Sequence, residues 1–220
     1  MLGMFQISLT SRCNFSCWHC PMAQYRNTGN PEYALRNERL VPWIKKNLIP
    51  SDWIIELTGG EPALYDGIDE LVRFLSGHGY RVVIKTNGSM PIQPAKNVIR
   101  VAAFHQVDNP PKYFDKILVS DQLDREKKEE ICRRNGWDYR VIAYNDRAFP
   151  GEFHGFGKMG YMDPHGHPLP CKDTQVQFTE WPDKYALEFT GLRQNMCCRD
   201  CKAAIDCWKF IPDEWKHRMK

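Results

Sequence analysis

The hydrophobic and polar positions of the chain alternate between short apolar runs and amphipathic stretches with helical spacing. The apolar runs predict strands at residues 5–10, 53–58, 81–86, 99–105, 116–120 and 138–143. The amphipathic stretches predict helices at residues 37–48, 66–76 and 124–135. Strands that alternate with helices favour a parallel sheet with right-handed crossovers. The predicted fold class is therefore α/β, and the six strand units suit a partial (βα)6 barrel rather than a closed one.

The pattern changes near residues 146–160, where glycines interleave with phenylalanines. Beyond this stretch the chain has little periodicity and holds five of its nine cysteines. A unit with so small a core needs metal ligands to fold. We therefore predict a barrel domain at residues 1–148, followed at residues 149–220 by a linker and a small cysteine-rich, metal-stapled domain.

Composition and charge limit the expected partners and cellular compartment of the protein. The 220 residues carry a net charge of +3 with both signs mixed, so nucleic acid is not an expected partner, although a nucleotide substrate remains open. The first twelve residues do not resemble a signal peptide, and no apolar run would span a bilayer. Many cysteines without a secretion signal favour metal-bound thiols in a reducing cytoplasm, with no membrane partner.

Three thiols lie on one loop directly after the first predicted strand. Cys13, Cys17 and Cys20 have the spacing C-x3-C-x2-C. Thiolates are soft ligands for iron–sulfur clusters, zinc or copper(I). Three ligands on a 4Fe–4S cluster would leave one iron open to a further molecule. A structural zinc loop or a disulfide cluster is the alternative interpretation of the same residues.

Polar residues also follow the other predicted strands, where the functional groups of parallel barrels collect. The segment Gly59-Gly60-Glu61-Pro62 follows the second strand. Two adjacent glycines permit a close backbone approach that suits an ammonium group, although an ordinary turn has the same composition. The later strand ends carry Asn87, His105, Ser120 and Asp121.

The cysteine spacing after strand one, together with the GGEP segment after strand two, resembles the radical S-adenosylmethionine (SAM) superfamily over about residues 5–145. The resemblance implies a partial (βα)6 radical SAM barrel in which Cys13, Cys17 and Cys20 hold a 4Fe–4S cluster. Its open iron would chelate the amino and carboxylate groups of SAM.

The resemblance also implies residues that contact SAM. The GGEP segment would bind the amino group. The family often has an aromatic residue just before the third cysteine, near the adenine; this chain has His19 there and Trp18 before it, so both are candidates. Asn87, Ser120 and Asp121 lie where family members contact the ribose or carboxylate, and strand-end caps are the alternative role.

The C-terminal region resembles a truncated SPASM or twitch domain, which carries an auxiliary cluster in some family members. Residues 162–171 resemble the opening hairpin, and Cys198, Cys201 and Cys207 have the spacing C-x2-C-x5-C. With Cys171 they would close an auxiliary 4Fe–4S cluster, with zinc as the alternative metal. Cys197 has three open roles: a ligand in place of Cys198, a redox or hydrogen donor, or a packed side chain.

The implied activity is that of a radical SAM oxidoreductase or modifying enzyme. An electron donor such as flavodoxin or ferredoxin would drive SAM cleavage to a 5′-deoxyadenosyl radical, which abstracts a hydrogen atom from the substrate. The auxiliary cluster would then accept an electron. Candidate catalytic residues are Cys197, His105 and Asp121.

The substrate class stays open at this stage. Peptide modification is favoured, because relatives with such tails commonly act on ribosomally made peptides. Oxidation or rearrangement of a small molecule, sugar or nucleotide is the alternative. A non-catalytic zinc or iron–sulfur binding module is the alternative of another class, and metal counts would distinguish it.

Overall fold

A computed structural model gives the architecture of the chain. It describes residues 3–10, 12–17, 35–51, 53–120, 124–142 and four short strands farther on. The predicted domain boundary near residue 148 and most of the cysteine-rich region lie outside these residues. None of the helices in the described part has the length and apolar character needed to cross a membrane.

Six parallel strands form the main sheet, and neighbours in the sheet are also neighbours in the chain. Their bounds are β1 Gly3–Ser8, β2 Trp53–Thr58, β3 Arg81–Thr86, β4 Val98–Phe104, β5 Lys116–Ser120 and β6 Tyr139–Ile142. Each follows its predicted apolar run to within two residues. The α/β fold class is therefore confirmed.

Helices follow three of the strands. They are α1 Asn37–Asn47, α2 Ile68–Gly77 and α3 Arg125–Arg134, and a short 3-10 turn spans Pro62–Leu64. No helix joins β3 to β4 or β4 to β5 within the described residues 87–97 and 105–115. These two connections contain four prolines, which remove backbone donors and disfavour helix interiors. The strand–helix repeat is therefore incomplete in the middle of the sheet.

One face of the sheet is covered by helices. On β2 and β3 the residues Ile55, Leu57, Val82 and Ile84 face α1 and α2, and this layer is fully buried. Farther along the sheet, Phe104, Ile117 and Val119 pack with Cys132 of α3. Cys132 is buried there and packs as a small hydrophobic residue.

The opposite face of the sheet, here called the inner face, carries the alternate residues of each strand. On β2 and β3 these include Glu56 and Lys85, because Ile55, Leu57 and Ile84 belong to the helix-covered layer. The inner face is thus partly polar, unlike the helix-covered face.

Four short strands lie beyond residue 148. They are β7 Tyr161–Met162, β8 Pro168–Leu169, β9 Val176–Phe178 and β10 Leu187–Phe189. Strand β7 pairs in parallel with β1, and β8 pairs antiparallel with β7. Strand β7 ends at the first residue of the segment that resembles an opening hairpin, and β8 lies inside that segment. The two strands extend the main sheet past β1. Strands β9 and β10 form a separate antiparallel pair.

Candidate active site at the carboxyl edge of the sheet

The cysteine loop begins as a continuation of β1 along the end of β2. The N–H of Leu9 donates to the Thr58 carbonyl at 2.8 Å. The N–H of Gly60 then donates to the Thr10 carbonyl at 2.7 Å, and that of Glu61 donates to Arg12 at the same distance. The backbone that leads into Cys13 is therefore fixed against the GGEP segment.

Gly59 is required for this close approach. It has φ +135°, and a Cβ there would lie 2.5 Å from the Thr10 carbonyl oxygen. Only glycine tolerates both conditions without strain. The sequence suggested that the paired glycines approach a SAM ammonium, and the structure gives Gly59 a contact with the chain that enters the cysteine loop.

Cys13 and Cys17 are half-buried in this loop. The N–H of Phe15 donates to the Cys13 sulfur at 3.4 Å. Hydrogen bonds to sulfur are among the features that set the potential of iron–sulfur clusters. A partly exposed pair of thiols with a backbone donor fits the donor set of a cluster, although Cys20 lies outside the described residues.

The loop also reaches the end of β4. The rings of Phe15 and His105 meet edge to face, with centroids 6.3 Å apart, and Phe15 is buried. His105, a sequence-predicted candidate, is therefore brought beside the cysteine loop. The described part of the loop therefore reaches from the end of β1 to the end of β4 along the carboxyl edge.

Glu61 links the ends of β2 and β3 through a buried carboxylate. Its oxygens accept from the Thr86 hydroxyl at 2.6 Å, the Asn87 N–H at 2.6 Å and the Ala63 N–H at 3.0 Å. Burial raises the pKa of Glu61, and the hydrogen bonds from Asn87, Thr86 and Ala63 oppose that rise. With both oxygens engaged by the protein, Glu61 positions the strand ends.

Asn87 continues this network to the cysteine loop. Its side-chain amide donates to Oδ1 of the Asn14 side chain at 2.8 Å, and the side-chain amide of Asn14 donates to the Ser89 hydroxyl at 2.8 Å. The Ser89 N–H in turn donates to the Asn87 side chain at 2.9 Å. The end of β3 therefore holds the residue that directly follows the first cysteine.

A buried lysine lies near the same loop. Lys128 of α3 is only 4% exposed. Burial lowers its pKa, while Asp124 and the Cys17 thiol act in the opposite direction. A positive charge close to Cys17 favours the thiolate form that binds metal. Lys128 precedes the buried Cys132 by one helical turn, a spacing that would have marked it as inward-facing.

Sequence reasoning missed several members of the site. Asn14 and Ser89 were not singled out, although Asn14 lies inside the cysteine loop and Ser89 lies two residues after Asn87. The signal for Asn14 was its position inside the cysteine loop. For Thr86 and Ser89 it was their position within two residues of Asn87.

Several predicted site residues lie outside the part of the chain that the structure describes. They are Trp18, His19, Cys20, Asp121, Cys171, Cys197, Cys198, Cys201 and Cys207. Ser120 ends β5, as predicted, but only its backbone is described. Pro62 begins the 3-10 turn after Glu61 and is buried. The assignments of these residues to SAM or metal remain predictions.

Known proteins resemble part of the chain. The GTP 3′,8-cyclase of Campylobacter fetus is 28% identical over 141 residues, which cover 63% of this chain and 40% of that protein. The 7-carboxy-7-deazaguanine synthase of Clostridium acetobutylicum is 35% identical over 94 residues, covering 42% of this chain and 41% of that protein. The chain thus spans less than half the length of these relatives.

Two solved structures are similar in part. Streptococcus suis SuiB bound to S-adenosylmethionine has a TM-score of 0.48 and 18% identity, and the match covers 66% of this chain and 41% of that one. BtrN in complex with AdoMet and 2-DOIA has a TM-score of 0.44 and 16% identity, with 79% and 74% covered.

A family model matches residues 7–143, more than half of the chain. Its description is the radical SAM superfamily. The matched residues run from β1 to just past β6 and include the cysteine loop and the GGEP segment. This chain therefore belongs to the radical SAM superfamily.

Proposed function

We propose that this chain cleaves SAM reductively at a 4Fe–4S cluster held by Cys13, Cys17 and Cys20, and that a hydrogen atom is then abstracted from a substrate. When bound, SAM and the cluster supply a 5′-deoxyadenosyl radical after one-electron reduction. The chain's own residues bind and orient these groups and exclude water.

The observation that carries the proposal is the way the cysteine loop is fixed over the carboxyl edge. Backbone hydrogen bonds join the loop to the GGEP segment, and Asn87 joins it to β3. In a parallel barrel this edge is where active sites are built. The position of the loop and the family membership together support SAM chemistry at this edge.

For the substrate we propose a nucleotide-type small molecule. The support is that the curated relatives are named as GTP 3′,8-cyclases and a 7-carboxy-7-deazaguanine synthase, and both names refer to purine-related compounds. Peptide modification is the second candidate. It is favoured by the spacing of Cys198, Cys201 and Cys207, which resembles tails common among peptide-modifying members.

An auxiliary 4Fe–4S cluster on Cys171, Cys198, Cys201 and Cys207 belongs to the same proposal. It would accept an electron from the substrate and make the overall reaction an oxidation. A zinc ion in these thiols would instead point to a redox-neutral reaction. Counts of iron, sulfide and zinc in anaerobically purified protein decide between them.

The test of SAM cleavage uses anaerobically reconstituted full-length protein, SAM and dithionite. We expect 5′-deoxyadenosine and methionine to form, and a Cys13→Ala/Cys17→Ala variant to form neither. A wild-type protein that carries the cluster and binds SAM but yields no 5′-deoxyadenosine would overturn the proposal. A protein that binds only zinc would favour a non-catalytic binding module.

The substrate class is tested with the same preparation. GTP and other purine nucleotides are added, and deuterated forms are used to follow hydrogen transfer into 5′-deoxyadenosine. Deuterium uptake from a nucleotide supports the nucleotide proposal. Absence of uptake from every nucleotide, with uptake from a peptide encoded beside this chain's gene, would support peptide modification instead.

A further inference from the structure

Helix α3 carries a lysine on the side that faces the sheet. Lys128 is 4% exposed, although lysine is almost never fully buried unless a charged group accompanies it. Cys132 follows it by one helical turn and so lies on the same side of the helix. Cys132 packs with Phe104 of β4 and with Ile117 and Val119 of β5. The Lys128 side chain is therefore enclosed between the helix and the sheet.

Lys128 also lies near the carboxyl edge of the sheet. Helix α3 starts soon after β5 ends, so its first turns lie close to the carboxyl ends of the strands. Lys128 comes one turn before Cys132 and is thus nearer to that edge than the apolar contacts of Cys132. At the same edge the ring of His105, at the end of β4, contacts Phe15 of the cysteine loop. The buried amine and the cysteine loop therefore occupy the same corner of the molecule.

Two negative groups act on the Lys128 ammonium group. They are the Asp124 carboxylate, one turn earlier, and the thiolate form of Cys17. Burial lowers the pKa of Lys128, and both groups oppose that change. Asp124 also contacts the exposed Lys127 at 3.1 Å. A cluster bound to Cys17 would add negative charge on the loop side and would favour the charged form of Lys128.

Charge close to an iron–sulfur cluster changes its reduction potential. Three thiolates make the cluster site negative, and reduction adds a further negative charge. A nearby positive charge stabilises the reduced form more than the oxidised form, and so it raises the potential. Salt screens exposed charges much more than buried ones. Lys128 is buried, whereas the other basic residues of α3 are exposed.

We propose that the Lys128 ammonium group is a fixed counter-charge for the cluster held by Cys13, Cys17 and Cys20, and that it raises the potential at which this cluster is reduced. The inference rests on the proposed function, because it assumes that these thiols hold the cluster. In this step an external one-electron donor is oxidised, the cluster gains the electron, and no bond forms or breaks. Lys128 acts on the cluster only through its charge.

The experiment measures the potential of this cluster in anaerobically reconstituted holoprotein. Redox titration followed by electron paramagnetic resonance gives the potential, and the signal missing from Cys13→Ala/Cys17→Ala belongs to this cluster. Lys128→Met removes the charge and keeps the side-chain length. One unit charge about 10 Å away, at an effective dielectric constant of about 20, changes the ratio of reduced to oxidised cluster by about 10-fold. For a one-electron couple, we therefore expect Lys128→Met to shift the potential by about 59 mV toward more negative values.

Lys127→Met is the matched control. It removes the same charge from the neighbouring position, but the Lys127 side chain is 70% exposed and its Nζ contacts Asp124. We expect the wild-type potential in this control, and a potential close to wild type in Lys128→Arg. Thermal melts and iron counts show that each variant is folded and loaded. Methionine fits a buried position without the cost of a charge; should Lys128→Met still fail to fold, Lys128→Gln is the second neutral variant.

The possible results have separate meanings for Lys128. A wild-type potential in a folded, loaded Lys128→Met protein would overturn its role, and so would an equal shift in Lys127→Met. A cluster lost from the neutral variants but kept in Lys128→Arg would support the counter-charge. Loss of the cluster from Lys128→Arg as well would show that shape rather than charge matters, and would overturn the inference.

Failure of the proposed function gives a different result in the same preparation. A wild-type protein whose cluster is reduced but which cleaves no SAM would overturn the proposed function and leave the role of Lys128 standing. A wild-type protein that holds no iron at Cys13 and Cys17 would overturn both.

Discussion

Two buried regions of this molecule are held together by different forces. Between the sheet and helices α1 and α2 the buried side chains are apolar, as at Leu57 and Leu71. At the carboxyl edge the buried side chains are polar, as at Glu61, Thr86 and Asn87. The apolar layer is stabilised by the area it removes from water, whereas the polar edge depends on directional hydrogen bonds.

This difference predicts which variants lose only stability and which also lose function. A truncated apolar side chain leaves a cavity, but its neighbours keep their chemistry. A truncated polar side chain at the edge leaves buried donors without acceptors and releases a strand end. We therefore expect variants of the helix-covered layer to lose stability alone, and variants of the edge to lose ligand binding as well.

The largest effect is expected from removing the thiols of the loop. Replacement of Cys13, Cys17 and Cys20 by alanine should abolish SAM cleavage and lower the iron content from about eight to about four atoms per chain, if each cluster holds four. Iron and sulfide analysis measures this change. An unchanged iron content would show that these three cysteines do not hold a cluster.

Leu71→Ala tests the apolar layer. Leu71 is 0% exposed, and such truncations cost about 2–5 kcal/mol of the free energy of unfolding. Denaturant unfolding of the holoprotein measures the cost. The dissociation constant for SAM should stay unchanged in the folded variant, and a clear change would contradict the separation of the two regions.

Gly59→Ala tests the backbone contact that links the regions. A Cβ there would meet the Thr10 carbonyl and would impose a positive φ on alanine, so we expect a loss of about 3 kcal/mol together with weaker cluster binding. Gly79→Ala is the control, since Gly79 also has a positive φ, +78°, but a Cβ added there would meet no atom within 4 Å. Equal losses in the two variants would show that only the dihedral angle matters.

Glu61→Gln tests the edge. An amide nitrogen in place of one carboxylate oxygen leaves a buried donor unsatisfied, which costs about 1–3 kcal/mol. Because the amide nitrogen cannot accept a hydrogen bond, either the Asn87 N–H or the Thr86 hydroxyl loses its acceptor, and SAM binding should weaken too. Calorimetry and thermal melts measure both effects, and Glu70→Gln on the exposed side of α2 is the control. A stable variant with wild-type SAM affinity would contradict the role of Glu61.

The smallest effect is expected at Cys132. Burial raises the pKa of its thiol to about 11, so at pH 8 only about one thiol in a thousand is ionised. Iodoacetamide should therefore leave Cys132 unmodified in the folded, cluster-free protein, while Cys13 and Cys17 react. Mass spectrometry of the digested protein measures this. Rapid labelling of Cys132 would show that the layer beneath α3 opens.

The sequence predicted most of the fold, because the signals for its elements are local. The six apolar runs match β1 to β6, and the amphipathic stretches match α1 to α3. The crossovers on either side of β4 broke the expected repeat. The four prolines in these crossovers are a local signal against helices, and the strand pattern alone does not contain that signal.

The site was predicted less completely. Motif spacing identified Cys13, Cys17 and the GGEP segment, which are brought together at the carboxyl edge. Partners separated widely in sequence were missed, such as Asn14 with Ser89 and Glu56 with Lys85. Spacing along a chain carries no information on which side chains of different strands will meet.

By itself, then, the sequence determined the α/β fold class, the strand order along the chain and the family, because periodicity and close motif spacing are properties of short segments. Only the tertiary structure decided that Glu61 faces Thr86 and Asn87 rather than open space, that Gly59 serves a backbone contact, and that Lys85 pairs with the buried Glu56. These outcomes depend on the register between strands and on the face each side chain takes, and both are fixed when the sheet and its helices pack together.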